Sequence, residues 1–484
     1  MSKIVRNYIY NAAYQILVLL VPIITAPYLS RTLGASNLGI YSFVNSSGSI
    51  ITSLSLLGIY AYGNRQTAYV RDNRGELTRT FWELMFTRLI LGVIGTTIYV
   101  VYILFNRNFS FYFLIYYPFI LAQFIDCSWV YVGLEDMRPA VMKNFVSKVA
   151  NVIGIFLFVR KKEDVWIYIL LLAMTALLSN MSIYFQLPRY IDRRKGGHRE
   201  LLTNMLHHIK GSVFLFLPQA ALLLYLQIDK IMIKWLTGTT SQVSFYDQAE
   251  KIIYIPLTLI TVMSTVMMPR IANEFKKNNR QVIQALLTKA GKVTLFMAFP
   301  LMAGLFTVSR QFIPWYLGDE FISSAYAMMI LAPIVVFNSL SGISGVQYFT
   351  ATNQINALMK SNGSAVITNI IINLILIPKY GYLGAAVATV FSSLILVWIQ
   401  YYILNRQMNI KTLLKPGFRY FTVSAVMVAA IYIPTRKMAA HPVTTLLQVM
   451  IGASVYFLLL FCVKDDTIIE CLTIVKSKFI RNNG

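Results

Sequence analysis

Between Gln227 and Lys251 the chain reads QIDKIMIKWLTGTTSQVSFYDQAEK, with Asp229, Lys230, Lys234, Asp247, Glu250 and Lys251 set among apolar residues. Thr237 to Gln242 form a short polar turn with Gly238 as its breaker. The pattern predicts two membrane helices joined at the surface, with ionisable groups carried into the hydrocarbon on both sides. Charges at that depth are costly and face a bundle interior or a wet cavity. Other apolar runs hold Arg88, roughly 10 Å in from the run's start at 1.5 Å per residue, and Lys148, Asp126 and Glu83. Arg31 precedes a helix end, where its side chain can snorkel to the interface. Asp247 and Lys251 are spaced i,i+4 and can pair on one face, which points Glu250 elsewhere.

Two kinds of chemistry fit this inventory. Arg31, Arg88, Lys148 and Lys230 facing one cavity would suit an anion, because a phosphate leaving water needs charge-assisted donors. For Arg88, Lys148 and Lys230 the other reading is an ion pair with a neighbouring helix. Tyr41 and Asn45, with Asn11, Gln15, Ser46, Ser49, Tyr60, Tyr62, Gln219, Tyr225, Gln227 and Tyr254, could hydrogen-bond or stack on a sugar, although such residues also pack membrane helices. Asp126, Asp229 and Glu250 are candidates for coupling to H⁺ or Na⁺, since burial raises a carboxylate's proton affinity.

The elements that must position these groups are helices. The 484 residues are 57% hydrophobic and 13% charged, with a mean hydropathy of +0.61. A soluble protein is about 25% charged. Apolar runs of about 20 residues recur along the chain, which is the signal of membrane spans. The class expected is an all-α polytopic membrane protein with fourteen spans, near 9–29, 38–62, 81–105, 111–132, 140–159, 166–187, 209–236, 243–268, 290–310, 323–349, 358–377, 383–404, 419–434 and 443–463. The first run lacks a convincing cleavage site and is expected to stay as a helix.

The net charge of +24 follows from basic residues in alternate loops and needs no nucleic acid. The richer set of loops includes Arg65 to Arg79, Arg138 with Lys143, Arg189 to Arg199, Arg270 to Arg280, and Arg406 to Lys415. The positive-inside rule makes that set, and both termini, cytoplasmic. Arg160, Lys161 and Lys162 fall on the wrong side. The most basic loop, 188–210, holds Gly196-Gly197, His198, His207 and His208. It reads as a solvated connector whose later part can lie on the membrane as an amphipathic helix. The organisation expected is spans 1–6 in 1–190, a basic cytoplasmic linker over 191–208, spans 7–12 in 209–405, and spans 13–14 with a cytoplasmic tail in 406–484. Tyr28 to Val44 echoes Gln227 to Lys251 weakly, each with a basic residue, a Leu/Gly pair, a polar turn and an aromatic restart. Similar hairpins or an internal duplication would both produce it. Pro22, Pro27 and Pro218, in the first span of each half, permit bending.

No P-loop, GxSxG elbow, HExxH or CxxC pair is present, and Cys127, Cys462 and Cys471 are scattered. The chain therefore encodes no ATPase, and a transporter is expected in place of an enzyme. Acidic pairs such as Glu135-Asp136 and Asp319-Glu320 are too sparse for a membrane glycosyltransferase. A drug exporter for small cations would want an acidic cavity, against the excess of embedded Arg and Lys.

Four stretches carry a resemblance: PYLSRTLGASNLGIYSF, LSLLGIYAYGNRQTA, IDKIMIKWL with VSFYDQAEKI and MMPRIANEF, and NLILIPKYGYLGAAVATVFS. Together they resemble the polysaccharide repeat-unit flippases (Wzx-type) of the multidrug/oligosaccharidyl-lipid/polysaccharide exporter superfamily, from about residue 7 to about residue 405. The resemblance implies two pseudo-symmetric six-helix lobes around a central cavity, with two further helices appended. It implies alternating access that moves an undecaprenyl-diphosphate-linked oligosaccharide across a bacterial plasma membrane, driven by an ion gradient with no other cofactor. The expected partners are that lipid, the membrane lipids, and the polymerase and glycosyltransferases of polysaccharide assembly. Capsule, exopolysaccharide, O-antigen and teichoic-acid precursors remain open as cargo.

Overall fold

The structure, a computed structural model, describes residues 3–193 and 199–469. Gly196-Gly197, His198 and Cys471 lie outside the described residues, as do the side chains of Asn11, Gln15 and Pro218. The described residues are helical, without strands. They pack as two compact units, Met1–Ser244 and Phe245–Gly484.

The first unit holds α1 (Lys3–Leu56), α2 (Ile59–Val70), α3 (Arg74–Phe105), α4 (Ser110–Ile125), α5 (Ser128–Gly133), α6 (Arg138–Phe158), α7 (Val165–Ser182) and α8 (Arg199–Thr237). Among the described residues of the whole chain, ten helices are long and apolar enough to cross a membrane, or twelve if each bent pair is one span. The protein is thus a polytopic membrane protein, as its composition requires. The difference from fourteen lies in two elements. One is α1, whose 54 residues run without interruption except at Gly34, where φ 77° and ψ 172° break the helical path. At 1.5 Å per residue α1 is about 80 Å long, too much for a hydrocarbon core of about 30 Å. Gly34 therefore does the work of the loop expected over 30–37, in a conformation that side chains with a Cβ avoid. The other is α9 (Thr240–Lys276), whose stretch from Ile252 to Pro269 carries no charge.

Two spans are broken. In α8, Asn204–Phe214 and Gln219–Thr237 meet at 67°, with Pro218 in the break removing a backbone donor. In the second unit, Asp319–Leu331 and Ile334–Thr350 meet at 48°, around Pro333. That unit continues through α10 (Arg280–Leu317), α11 (Ile322–Leu331), α12 (Ile334–Ser341), α13 (Ile355–Tyr380), α14 (Tyr382–Asn405), α15 (Ile410–Thr435) and α16 (Pro442–Cys462). The pairs α13/α14 and α10/α15 pack most extensively there, and α4/α7 in the first unit.

Candidate substrate-binding site

The chain breaks between α4 and α5 at Asp126 and Cys127, deep in apolar sequence. A helix end leaves its last four carbonyls without partners, and in a membrane they must be satisfied by protein. Each one is. Asn180 Nδ2 donates to Ala122 O at 2.6 Å. Arg88 Nη2 donates to Gln123 O at 2.5 Å, and its Nε to Phe124 O at 3.1 Å. Tyr184 donates its hydroxyl to Ile125 O at 2.5 Å. Asp126 completes the break by accepting from Ser128 N at 3.1 Å and from the Ser128 hydroxyl.

Lys143 closes the network. Its Nζ donates to Asp126 Oδ1 at 2.6 Å, Asn180 Oδ1 at 2.5 Å and Ser128 Oγ at 3.0 Å. Arg88 and Lys143 are 2% and 7% exposed. The structure thus brings together two of the sequence candidates, Arg88 and Asp126, and adds Lys143 and Asn180, which sequence reasoning missed. Lys143 had been counted with the loop charges beside Arg138. In the structure α6 starts at Arg138, so Lys143 lies more than one turn inside a helix.

A second buried cluster joins α2, α3 and α8. Glu83 Oε1 accepts from Asn204 Nδ2 at 2.7 Å and Arg79 Nε at 2.9 Å. His208 Nε2 lies 3.0 Å from Glu83 Oε2, and its Nδ1 lies 3.3 Å from the Tyr62 hydroxyl. Since the carboxylate only accepts, Nε2 carries the proton. His208, read from sequence as part of a solvated linker, is buried in α8. The sequence places Glu83 five residues before Arg88; one of its partners, Arg79, lies one turn back on α3, but Asn204 and His208 come from a helix more than a hundred residues away.

The remaining candidates are placed as follows. Asn45 Oδ1 accepts from the Tyr116 hydroxyl at 2.9 Å, and Tyr41 meets Tyr168 edge-on at 4.8 Å. The next residue of α1 after Asn45, Ser46, donates to Gln227 Oε1 of α8 at 2.8 Å. Arg31 is exposed. Asp229 and Lys230 are buried, with Lys230 Nζ donating to Leu226 O at 3.2 Å. Lys148 is half-buried on α6, and no hydrogen bond or ion pair engages it among the described residues. In the second unit Lys251 pairs with Asp247 at 2.5 Å, as the spacing predicts, and Glu250 is buried. Buried amides and hydroxyls run through that unit, including Tyr246 with Thr389 at 2.9 Å and Asn373 Nδ2 with Asn369 Oδ1 at 3.0 Å.

Comparison with known proteins places this arrangement. Residues 4–275 match the family described as "Polysaccharide biosynthesis protein". The chain belongs to that family. Residues 140–454 also match the family described as "Lipid II flippase MurJ", so the resemblance read from the four sequence stretches is borne out. A "Putative O-antigen transporter" of Escherichia coli (strain K12) is 24% identical over 392 residues, covering 79% of this chain and 92% of that protein. The solved structure titled "Lipid II flippase MurJ, inward closed conformation" superposes with a TM-score of 0.71 at 18% identity, over 96% of this chain and all of that one. An inward-facing multidrug resistance MATE family transporter of the MOP superfamily superposes at 0.64 and 14% identity, over 83% of this chain and 96% of that one. These two likenesses establish a shared fold. The family member described here is a multi-pass membrane transporter of flippase type.

Proposed function

We propose that this protein moves an undecaprenyl-diphosphate-linked oligosaccharide repeat unit from the cytoplasmic to the outer leaflet of a bacterial plasma membrane by alternating access. In this reading both termini are cytoplasmic, and the sugar crosses within the protein while the prenyl tail stays in lipid. The observation that carries it is Lys148, a cation in a membrane-spanning helix that no described side chain or carbonyl engages. An embedded charge without a protein partner is retained where water or an anionic ligand meets it. Family membership supplies the class of ligand.

The roles follow. Arg31, Lys148 and Lys230 hold the diphosphate by charge-assisted hydrogen bonds. Tyr41 and Asn45 border the sugar path. Arg88 acts one step back, because two of its nitrogens are committed to the carbonyls of α4. Asp126 is likewise committed to Lys143. Asp229 and Glu250, both buried carboxylates, are the groups assigned to couple to H⁺ or Na⁺. The family match over 140–454 favours a second reading of the cargo, lipid II, whose recognition would rest on the same cationic residues.

The test is transfer between leaflets of liposomes holding the purified protein and either a labelled undecaprenyl-diphosphate oligosaccharide or labelled lipid II, with and without an imposed ion gradient. Gradient-stimulated transfer lost in Lys148→Ala is expected, and the lipid that moves names the cargo. Transport of a small soluble cation with no transfer of either lipid would overturn the proposal.

A further inference from the structure

A groove runs along the first unit between α6 and the end of α7. Its head, a cavity of about 450 Å³, is lined by Arg138, Arg189, Asp136 and Gln186. It continues past Met142 into an apolar trough of about 570 Å³ that includes Val146, Ala150, Leu178 and Phe185. Met142, Val146 and Ala150 are spaced i,i+4 and so share one helix face. Phe185 is 88% exposed and Leu178 58%, which opens the trough sideways.

We propose that this groove binds one anionic phospholipid. The charge balance at the head selects the class. Arg138 and Arg189 are exposed and make no ion pair among the described residues. Asp136 beside them takes the Tyr190 hydroxyl at 2.6 Å. Two guanidinium groups and one carboxylate leave a net charge of +1, which matches a single phosphodiester better than a prenyl diphosphate. Below the head the trough meets Lys143, whose charge Asp126 already neutralises at 2.6 Å. An acyl chain lying there therefore meets no uncompensated charge. From Arg138 to Ala150 the groove follows twelve residues of helix, about 18 Å, close to one leaflet's share of a hydrocarbon core of about 30 Å. The site is separate from the residues proposed to hold the cargo, so it stands or fails independently of that reading.

The experiment is native mass spectrometry of the full chain released from nanodiscs of mixed phosphatidylglycerol and phosphatidylcholine. Retained phosphatidylglycerol without retained phosphatidylcholine is expected. Loss of two charge-assisted contacts in Arg138→Ala/Arg189→Ala should weaken retention by at least about tenfold. Ala150→Trp fills the trough without touching a charge and should also displace the lipid. All variants are first checked for an unchanged melting temperature, which the exposure of the three positions favours. Undiminished phosphatidylglycerol in the arginine variant, or equal retention of phosphatidylcholine, would overturn the site. Full retention in Ala150→Trp would reduce it to surface charge, and displacement by undecaprenyl phosphate would reassign it to prenyl lipids. Either result overturns the groove as a phospholipid site.

Discussion

Lys143 Nζ sits 2.6 Å from Asp126 Oδ1, and the two side chains are only 4% and 13% exposed. The pair does more than cancel charge. Asp126 accepts from the first backbone N–H of α5, Lys143 fixes Asn180, and Asn180 holds a carbonyl at the end of α4. Removing one partner of a buried pair leaves an uncompensated charge, which costs about 3–5 kcal/mol. Lys143→Met is therefore expected to lower the melting temperature of the detergent-purified protein sharply. The double variant Asp126→Asn/Lys143→Met should recover much of that loss. A double variant as unstable as the sum of the two singles would show that the residues act independently.

Arg88 and Lys148 separate structure from recognition. Arg88→Ala strips donors from Gln123 O and Phe124 O and should cost stability, by about 1–3 kcal/mol for each orphaned buried group. Lys148→Ala breaks no bond among the described residues, so its melting temperature should hold. Transfer of lipid-linked sugar by Lys148→Ala should nonetheless fall about tenfold or more, the scale of one lost charge-assisted contact. Melting curves and transfer rates measured on the same preparations decide this. The assignment is lost if Lys148→Ala melts early, or if Arg88→Ala is fully stable.

The helices were legible because apolar length is written directly in sequence. The interruptions were legible less evenly. Pro218, expected to permit bending, sits at a real bend; the bend at Pro333 was not anticipated, and Gly34 replaced an expected loop with a single left-handed residue. The i,i+4 pairing of Asp247 with Lys251 followed from spacing because both lie on one helix. Pairings between helices were out of reach. Arg88 finds carbonyls 35 and 36 residues away, and a carbonyl acceptor leaves no mark on the residue type that bears it. His208 was hidden by its basic neighbours, which made a buried turn of α8 look like a solvated linker. Lys143 was counted with the loop charges although the span expected over 140–159 already held it, because it follows closely on Arg138 at that span's start.

The two echoing turns of the sequence touch. Ser36 Oγ lies 3.0 Å from Thr240 Oγ1, and a Cβ built on Gly39 would fall 1.8 Å from Thr240 O. The obstacle is backbone, which cannot swing aside as a side chain can. A Ser36→Cys/Thr240→Cys variant should therefore cross-link on mild oxidation, and adding Gly39→Leu should suppress the cross-link by forcing the turns apart. Equal cross-linking with and without Gly39→Leu would contradict the close approach.

At the other end of the chain, Asp465 lies beyond α16 and is 1% exposed. Burial pushes its proton affinity up. Hydrogen bonds from the Thr467 side chain and backbone and from Arg419, with the charge of Lys292, outweigh burial and hold its carboxyl below the ordinary carboxylate value. Arg419 Nη1 approaches it at 2.7 Å and Thr467 N at 2.9 Å. A depressed folded value means that the unfolded chain binds the proton first as pH falls. The stabilisation is thus complete above the unfolded carboxylate pKa of about 3.9, and is lost as pH drops through that value toward the lower folded one. Asp465→Asn should melt earlier than the parent protein at pH 7, and the gap should narrow at about pH 3, below the unfolded value. A gap that stays constant over this range would mean that the Asp465 charge does not anchor the segment after α16.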